Sequence, residues 1–277
     1  MKYCYLILLI CLLGCAVPHT NNTPTIVTTQ DIDLVKQAFA SATRDTLVLV
    51  DIDSTIIEIK ANMFRAHSKD VSFIDHLKKN RASVKDFEHV LSTFRLGRKV
   101  LLLSPEWPNL INDLKARQVP IYALTQMDHG PLGKIANMAE WRRQELAAFG
   151  IHFTPLYEGH TEATLLANPA NALASSIFYH GYFMNGSSFS KRETSKIILA
   201  TLRPSKVIFV DDREEHIRNV GEACAEANIP YVGIIFRATE LLPGDPDPAM
   251  IAHQKKRLVE DKVWLEDEQA AAEIALQ

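Results

Sequence analysis

The chain has 277 residues, 47% hydrophobic and 23% charged, ordinary values for a globular protein with room for one large domain and an insertion. A net charge of −3 excludes a general nucleic-acid binder, which would be basic. Cys4, Cys11 and Cys15 crowd the first fifteen residues, and only Cys224 lies beyond them.

Lys2 and the apolar run over residues 3–13 fit the charged and hydrophobic regions of a secretory signal, and the run is too short to span a membrane comfortably. Leu12-Leu13-Gly14-Cys15 looks like a bacterial lipobox, in which the cysteine is acylated and becomes the mature N-terminus. Residues 1–14 are therefore expected to be a signal peptide. Residues 15–45 would be a lipidated tether, rich in Thr, Asn and Pro to residue 30, followed by a helix with Ile32, Val35 and Phe39 on one face. The expected location is exported, periplasmic or at the cell surface, with a lipid anchor in a bacterial membrane.

Residues 47–50 (Leu-Val-Leu-Val) read as a fully buried strand of a parallel sheet. Residues 60–99 then change character, with spaced Phe, Leu and Val suggesting short amphipathic helices. Ser104-Pro105 has the form of a helix start, a cap followed by proline at the first position. That helix should run to about residue 118, with a strand over residues 119–124. Residues 131–149 read as one long helix stopped by Gly150. A hairpin is expected around Gly181. The Ser190/Glu193 spacing of a capping box opens a helix to about residue 202. A strand at 207–210, a helix to about 227 and a strand at 231–236 complete an alternating pattern. The expectation is an α/β fold: a Rossmann-like parallel sheet with helices on both faces and a small helical cap inserted at about 60–100, within a core of 46–240. After Pro243, Pro246 and Pro248, residues 241–277 form a polar helical tail.

Chemistry gathers where the strands end. Asp51 and Asp53 follow the first buried strand, and Asp211 and Asp212 follow the strand at 207–210. In open parallel sheets ligands bind outside the carboxyl ends of the strands, so both pairs can meet in one crevice. Four carboxylates there repel one another unless a cation joins them, and hard oxygen ligands of this kind suit Mg²⁺. Asp51 can act as a nucleophile on phosphorus, and Asp53 can give and take the proton. Thr125, at the end of the second strand, can hydrogen-bond a phosphate oxygen. Lys191, at the mouth of the capped helix, can neutralise phosphoryl charge, with Lys196 as a rival for that role.

Together these residues resemble the haloacid dehalogenase-like superfamily of phosphohydrolases. Its first motif, Asp-x-Asp-x-Thr/Val, matches Asp51-Ile52-Asp53-Ser54-Thr55, and Thr125, Lys191 and Asp211-Asp212 match the other three. The resemblance covers about residues 47–236 and implies an aspartyl-phosphate on Asp51, acid/base work by Asp53, and Mg²⁺ held by Asp51, Asp53, Asp211 and Asp212, Asp53 through its backbone carbonyl. Met127 departs from the pattern, where many members have Arg, and so does His216, where Asn is frequent. The tail, with Gln254 and the run from Trp264 to Glu268, looks like an uncharacterised exported bacterial branch of the superfamily.

The expected function is Mg²⁺-dependent hydrolysis of a small phosphorylated substrate. The alternatives are phosphotransfer, dehalogenation, or a surface lipoprotein that keeps the fold for binding without turnover. Residues 60–99 carry ten Lys/Arg against four Asp/Glu, so a basic lid over an acidic site would draw in anions. Arg65, Lys69, Arg95 and Arg98 are the candidate contacts. Anionic lipid headgroups are a second attraction for such a surface.

Overall fold

The computed structural model describes residues 24–276. The expected signal peptide and the lipid-bearing Cys15 lie outside the described residues. In chain order, β1 (Thr25–Thr29) and α1 (Ile32–Ala40) lead to β2 (Thr46–Val50) and β3 (Ile57–Ile59). There follow α2 (Phe73–Lys79), α3 (Phe87–Gly97), β4 (Val100–Leu102), α4 (Trp107–Ala116), β5 (Ile121–Thr125) and α5 (Met138–Ala147). Then come β6 (Glu162–Leu166), β7 (Ser176–Tyr179), β8 (Tyr182–Asn185), α6 (Lys191–Leu202), β9 (Lys206–Asp211), α7 (Glu214–Glu226) and β10 (Tyr231–Phe236). The chain closes with α8 (Pro248–Asp261) and α9 (Asp267–Ala275). Among the described residues no helix is long and apolar enough to cross a membrane.

Eight strands form one sheet in the order β1-β10-β9-β2-β5-β8-β7-β6. The six from β1 to β8 are parallel; β7 and β6 run antiparallel to their neighbours. Alternation along β2 explains why it is apolar throughout. Val48 and Val50 point into a core shared with Phe39, Trp107 and Ile111, while Leu47 and Leu49 point into another shared with Ile198, Val220 and Cys224. Both faces are covered by helices, so a strand at the centre has no solvent side.

The insertion leaves and returns through an antiparallel ribbon, β3 with β4, in which Ile57 faces Leu102. Its helices pack on the tail: Phe64, Phe73, Leu77 and Phe94 share a core with Ile251, Leu258 and Trp264. Trp264 meets Phe94 edge-on, with ring centroids 4.9 Å apart, and its indole N–H donates to Glu266. Glu266 also accepts from the backbone N–H of Lys99, which pins the return strand of the ribbon.

Several elements differ from expectation. The tether contains an edge strand, β1, which pairs in parallel with β10. The helix expected over 131–149 is only α5, capped by the Asn137 side chain, which accepts from the N–H groups of Ala139 and Glu140. Gly130 and Gly133 before it have φ of +85° and +52°, which a helix does not accommodate. A side chain at Gly133 would also collide with Ser92 and the Glu88 carbonyl on α3. α4 begins at Trp107 with Pro108 in its first turn, while the Ser104 hydroxyl accepts from Glu106 N–H just ahead of it. The hairpin turns through His180 and Gly181, both at positive φ as a two-residue primed turn requires.

Candidate active site

Strand register builds the site. Val50 of β2 lies beside Val210 of β9, so the next residues, Asp51 and Asp211, emerge side by side at the carboxyl ends of adjacent parallel strands. Asp51 is fixed there by its own N–H, which donates to the Val210 carbonyl at 2.9 Å. Ala123 of β5 lies beside Val50 on the other flank, which brings buried Thr125 level with Ile52. The chain then doubles back sharply: Ser54 sits at φ +59°, and its N–H donates to the Ile57 carbonyl.

Lys191 is the first residue of α6, which opens with the expected capping box of Ser190 and Glu193. Its side chain is buried, and its ammonium lies between the two acids, 3.0 Å from Asp51 Oδ1 and 2.6 Å from Asp211 Oδ2. Lys196, the rival, points outward and pairs with Glu226 at 2.7 Å. Asp211 receives two further hydrogen bonds, from Arg213 N–H at 2.8 Å and from the imidazole Nδ1 of His216 at 3.1 Å. Among the described residues, Asp51, Asp211 and His216 offer ligand atoms all within 4.8 Å of one another. Asp212 stands beside this cluster, half-buried, and the Asp53 side chain turns elsewhere.

Burial dominates the electrostatics of Asp51 and, with Asp211 adding to it against the pull of Lys191, pushes its carboxyl up to about 6. Burial, then the charges of Asp211 and Asp51, push Asp212 up to about 8. Burial would raise Asp211 as well, but Lys191 and His216 bring it below its ordinary value. This is an acid-rich pocket with one fixed cation, short of positive charge. Asp51 Oδ1 is buried and lacks a hydrogen bond of good geometry, as does the Thr55 hydroxyl in the same loop. The oxygens of Asp51, Asp211 and Asp212 therefore suit a hard divalent cation, and the imidazole of His216 would add a nitrogen that softer ions prefer.

Asp53 belongs to a second constellation. Its carboxylate, 52% exposed, pairs with Arg142 at 2.6 Å and Arg98 at 3.6 Å. Partial desolvation would raise this carboxyl, but Arg142, then Arg98 and Arg95, outweigh it and hold it well below the usual range. Glu145 joins the two arginines from below, at 2.5 Å from Arg142 and 2.9 Å from Arg98. Of the four basic residues expected to meet a substrate, Arg65 is unavailable. Its guanidinium donates to the carbonyls of Pro243, Ile59 and Lys60, tying the insertion to the chain ahead of α8. Lys69 is exposed, while Arg95 and Arg98 face Asp53.

Sequence reasoning missed Arg142 and gave His216 no role. His216 was legible as the fourth residue of an acid-to-helix turn after Asp211-Asp212. Arg142 carried no signal, because its partner is 89 residues away.

Known proteins give the chain relatives of nearly full length. An uncharacterized protein of Rickettsia prowazekii (strain Madrid E) is 26% identical over 271 residues, 96% of each chain. A Chlamydia pneumoniae protein named "Putative outer membrane protein" is 21% identical over 264 residues, 91% of this chain and 90% of its own. A Chlamydia trachomatis protein of the same name is 40% identical, but over only 40 residues, 14% of this chain and 15% of its own. No solved structure matches. Residues 28–271 match the family described as "Protein of unknown function (DUF2608)", and the chain belongs to that family.

Proposed function

We propose that this chain is a phosphohydrolase of the haloacid dehalogenase-like kind, dependent on Mg²⁺, which cleaves phosphomonoesters through an aspartyl-phosphate on Asp51. One observation carries the reading: Asp51 and Asp211 stand side by side at the ends of adjacent parallel strands, with a buried lysine ammonium between them. That arrangement offers a carboxylate oxygen to an incoming phosphorus atom and a fixed positive charge to its oxygens.

In this reading a carboxylate oxygen of Asp51 forms the new bond to phosphorus as the ester oxygen departs. Lys191 neutralises charge on the equatorial oxygens, and the Thr125 hydroxyl donates to one of them. Mg²⁺, held by carboxylate oxygens of Asp51, Asp211 and Asp212 and by the Asp53 carbonyl, would supply charge neutralisation that offsets the repulsion between nucleophile and phosphate. Water then releases phosphate and restores Asp51. Asp53 would accept the proton of that water; Arg142 and Arg98 keep it ionised but also lower its basicity and hold it away from Asp51, so it acts as a base only once loosened from them. To donate a proton to the leaving alcohol, it must first be loosened from those arginines.

The test is hydrolysis of p-nitrophenyl phosphate with excess Mg²⁺. Asp51→Asn is expected to lower turnover by at least about 10³-fold, because an amide oxygen is a poor nucleophile and the covalent route is lost. Turnover that persists in a folded Asp51→Asn protein rules the mechanism out. We also place the chain outside the cytoplasm, with Cys15 acylated, in keeping with the names of the chlamydial relatives. Mass spectrometry of the mature N-terminus checks this.

A further inference from the structure

Arg95 of α3, Arg98 just beyond it and Arg142 of α5 converge on the ring of Trp141, their guanidinium carbons 5.2, 5.2 and 5.0 Å from its centroid. Among the described residues, the carboxylates paired with this cluster are Asp53 and Glu145. Glu145 holds Arg98 and Arg142, and Asp53 pairs with the same two. Among the described residues Arg95 has no carboxylate within 4.0 Å; its Nη1 lies 3.9 Å from Met127 Sδ. The Nε–H groups of Arg95 and Arg142 are buried without a hydrogen-bond partner among the described residues, and the Arg142 residue is 1% exposed. Burial and the two neighbouring guanidiniums disfavour the Arg95 charge and lower it to about 9.

Guanidiniums crowded together with unmet donors are costly unless an anion completes them, and their planar forks match carboxylate and phosphate. If the cluster served only to cement α3 to α5, two arginines and two carboxylates would suffice. The third cation is surplus to that purpose. The half-exposed carboxylate of Asp53, two residues from Asp51, connects the cluster to the crevice.

We propose that Arg95, with Arg98 and Arg142, is a recognition subsite for a second anionic group, carboxylate or phosphate, on the phosphorylated substrate. The inference rests on the reading of Asp51 as nucleophile, which decides where the scissile phosphate lies. The substrate class is then a phosphate ester bearing a second anionic group, and an alcohol phosphate without one is a poor ligand.

The experiment uses the full chain carrying Asp51→Asn, so that ligands stay intact, with Mg²⁺ in excess. Dissociation constants are measured by calorimetry for glycerol 3-phosphate, 3-phosphoglycerate and fructose 1,6-bisphosphate. Either ligand with a second anionic group is expected to bind at least about tenfold more tightly than glycerol 3-phosphate, the scale of one charge-assisted contact. Preference for 3-phosphoglycerate identifies a carboxylate site, and preference for the bisphosphate a second phosphate site. Adding Arg95→Met should bring the ratio close to one, and Arg95→Lys should restore part of it. A ratio within one variant does not depend on the fraction folded. Equal binding of all three ligands, or a preference that survives Arg95→Met, overturns the proposal. Hydrolysis of the same three compounds by the unmutated chain is scored separately. If none is cleaved, the phosphatase reading falls, while an Arg95-dependent preference would leave the anion subsite standing.

Discussion

Replacing Lys191 by methionine tests the convergence of charge without recourse to turnover. The ammonium is fully buried and lies 3.0 Å from Asp51 and 2.6 Å from Asp211. At an effective dielectric of 20, each contact corresponds to about 5–6 kcal/mol of attraction before desolvation is subtracted. Removing one partner of a buried ion pair and leaving the other charged costs about 3–5 kcal/mol. Methionine keeps most of the volume, so packing adds little, and for a chain of this size the melting temperature should fall by about 10 °C. Free of the competing ammonium, the two acids should then bind Mg²⁺ more tightly. A hundredfold excess over the dissociation constant restores about 2.7 kcal/mol. Thermal unfolding with and without Mg²⁺ measures both quantities. If Lys191→Met melts where the unmutated chain does, or if Mg²⁺ shifts both proteins equally, the acids do not share a cation site as argued.

Trp264→Ala should destabilise the fold by about 3–5 kcal/mol in urea titration, since the ring fills the space beside Phe94 and Gly97 and anchors Glu266. Glu140 is held at about 2, first by its hydrogen bonds with Arg143 and then against a small desolvation cost, with Gln144 and Tyr179 also donating to it. A depressed carboxylate stabilises above its unfolded value and ceases to do so as pH falls through its folded value. Glu140→Gln should therefore cost under about 1 kcal/mol at pH 7, the scale of a partly exposed pair, and nothing below about pH 2. Unfolding curves across that range check the sign.

The central strands were legible because burial on both faces demands uninterrupted apolar runs, as in Leu47-Val48-Leu49-Val50. Acids directly after such runs announced the crevice, and the Ser190/Glu193 spacing placed Lys191 at a helix mouth. The edges of the sheet were not legible. β1 and β6 are half-exposed and Thr- or Glu-bearing, so their alternation is diluted by polar residues. The helix expected from residue 131 starts late because Gly133, at positive φ, belongs to a loop pressed on α3, and the helical pattern did not reveal that. Arg95 and Arg98 stand out in the sequence as candidate substrate contacts, but their meeting with Asp53 and Arg142 does not, for another reason. Arg98 and Arg142 meet only after the ribbon and α5 have folded, and nothing local encodes that encounter.

Because β1 runs parallel to β10, β9 and β2, it enters the sheet at the end opposite the one where Asp51 and Asp211 emerge. Its five residues extend about 17 Å toward the acidic end before the chain turns into α1. Whatever grips the residues ahead of Thr25 therefore grips the molecule from behind. Thr25 and the two acids thus mark opposite ends of the sheet, so a handle fixed at Thr25 would leave the acidic end uncovered.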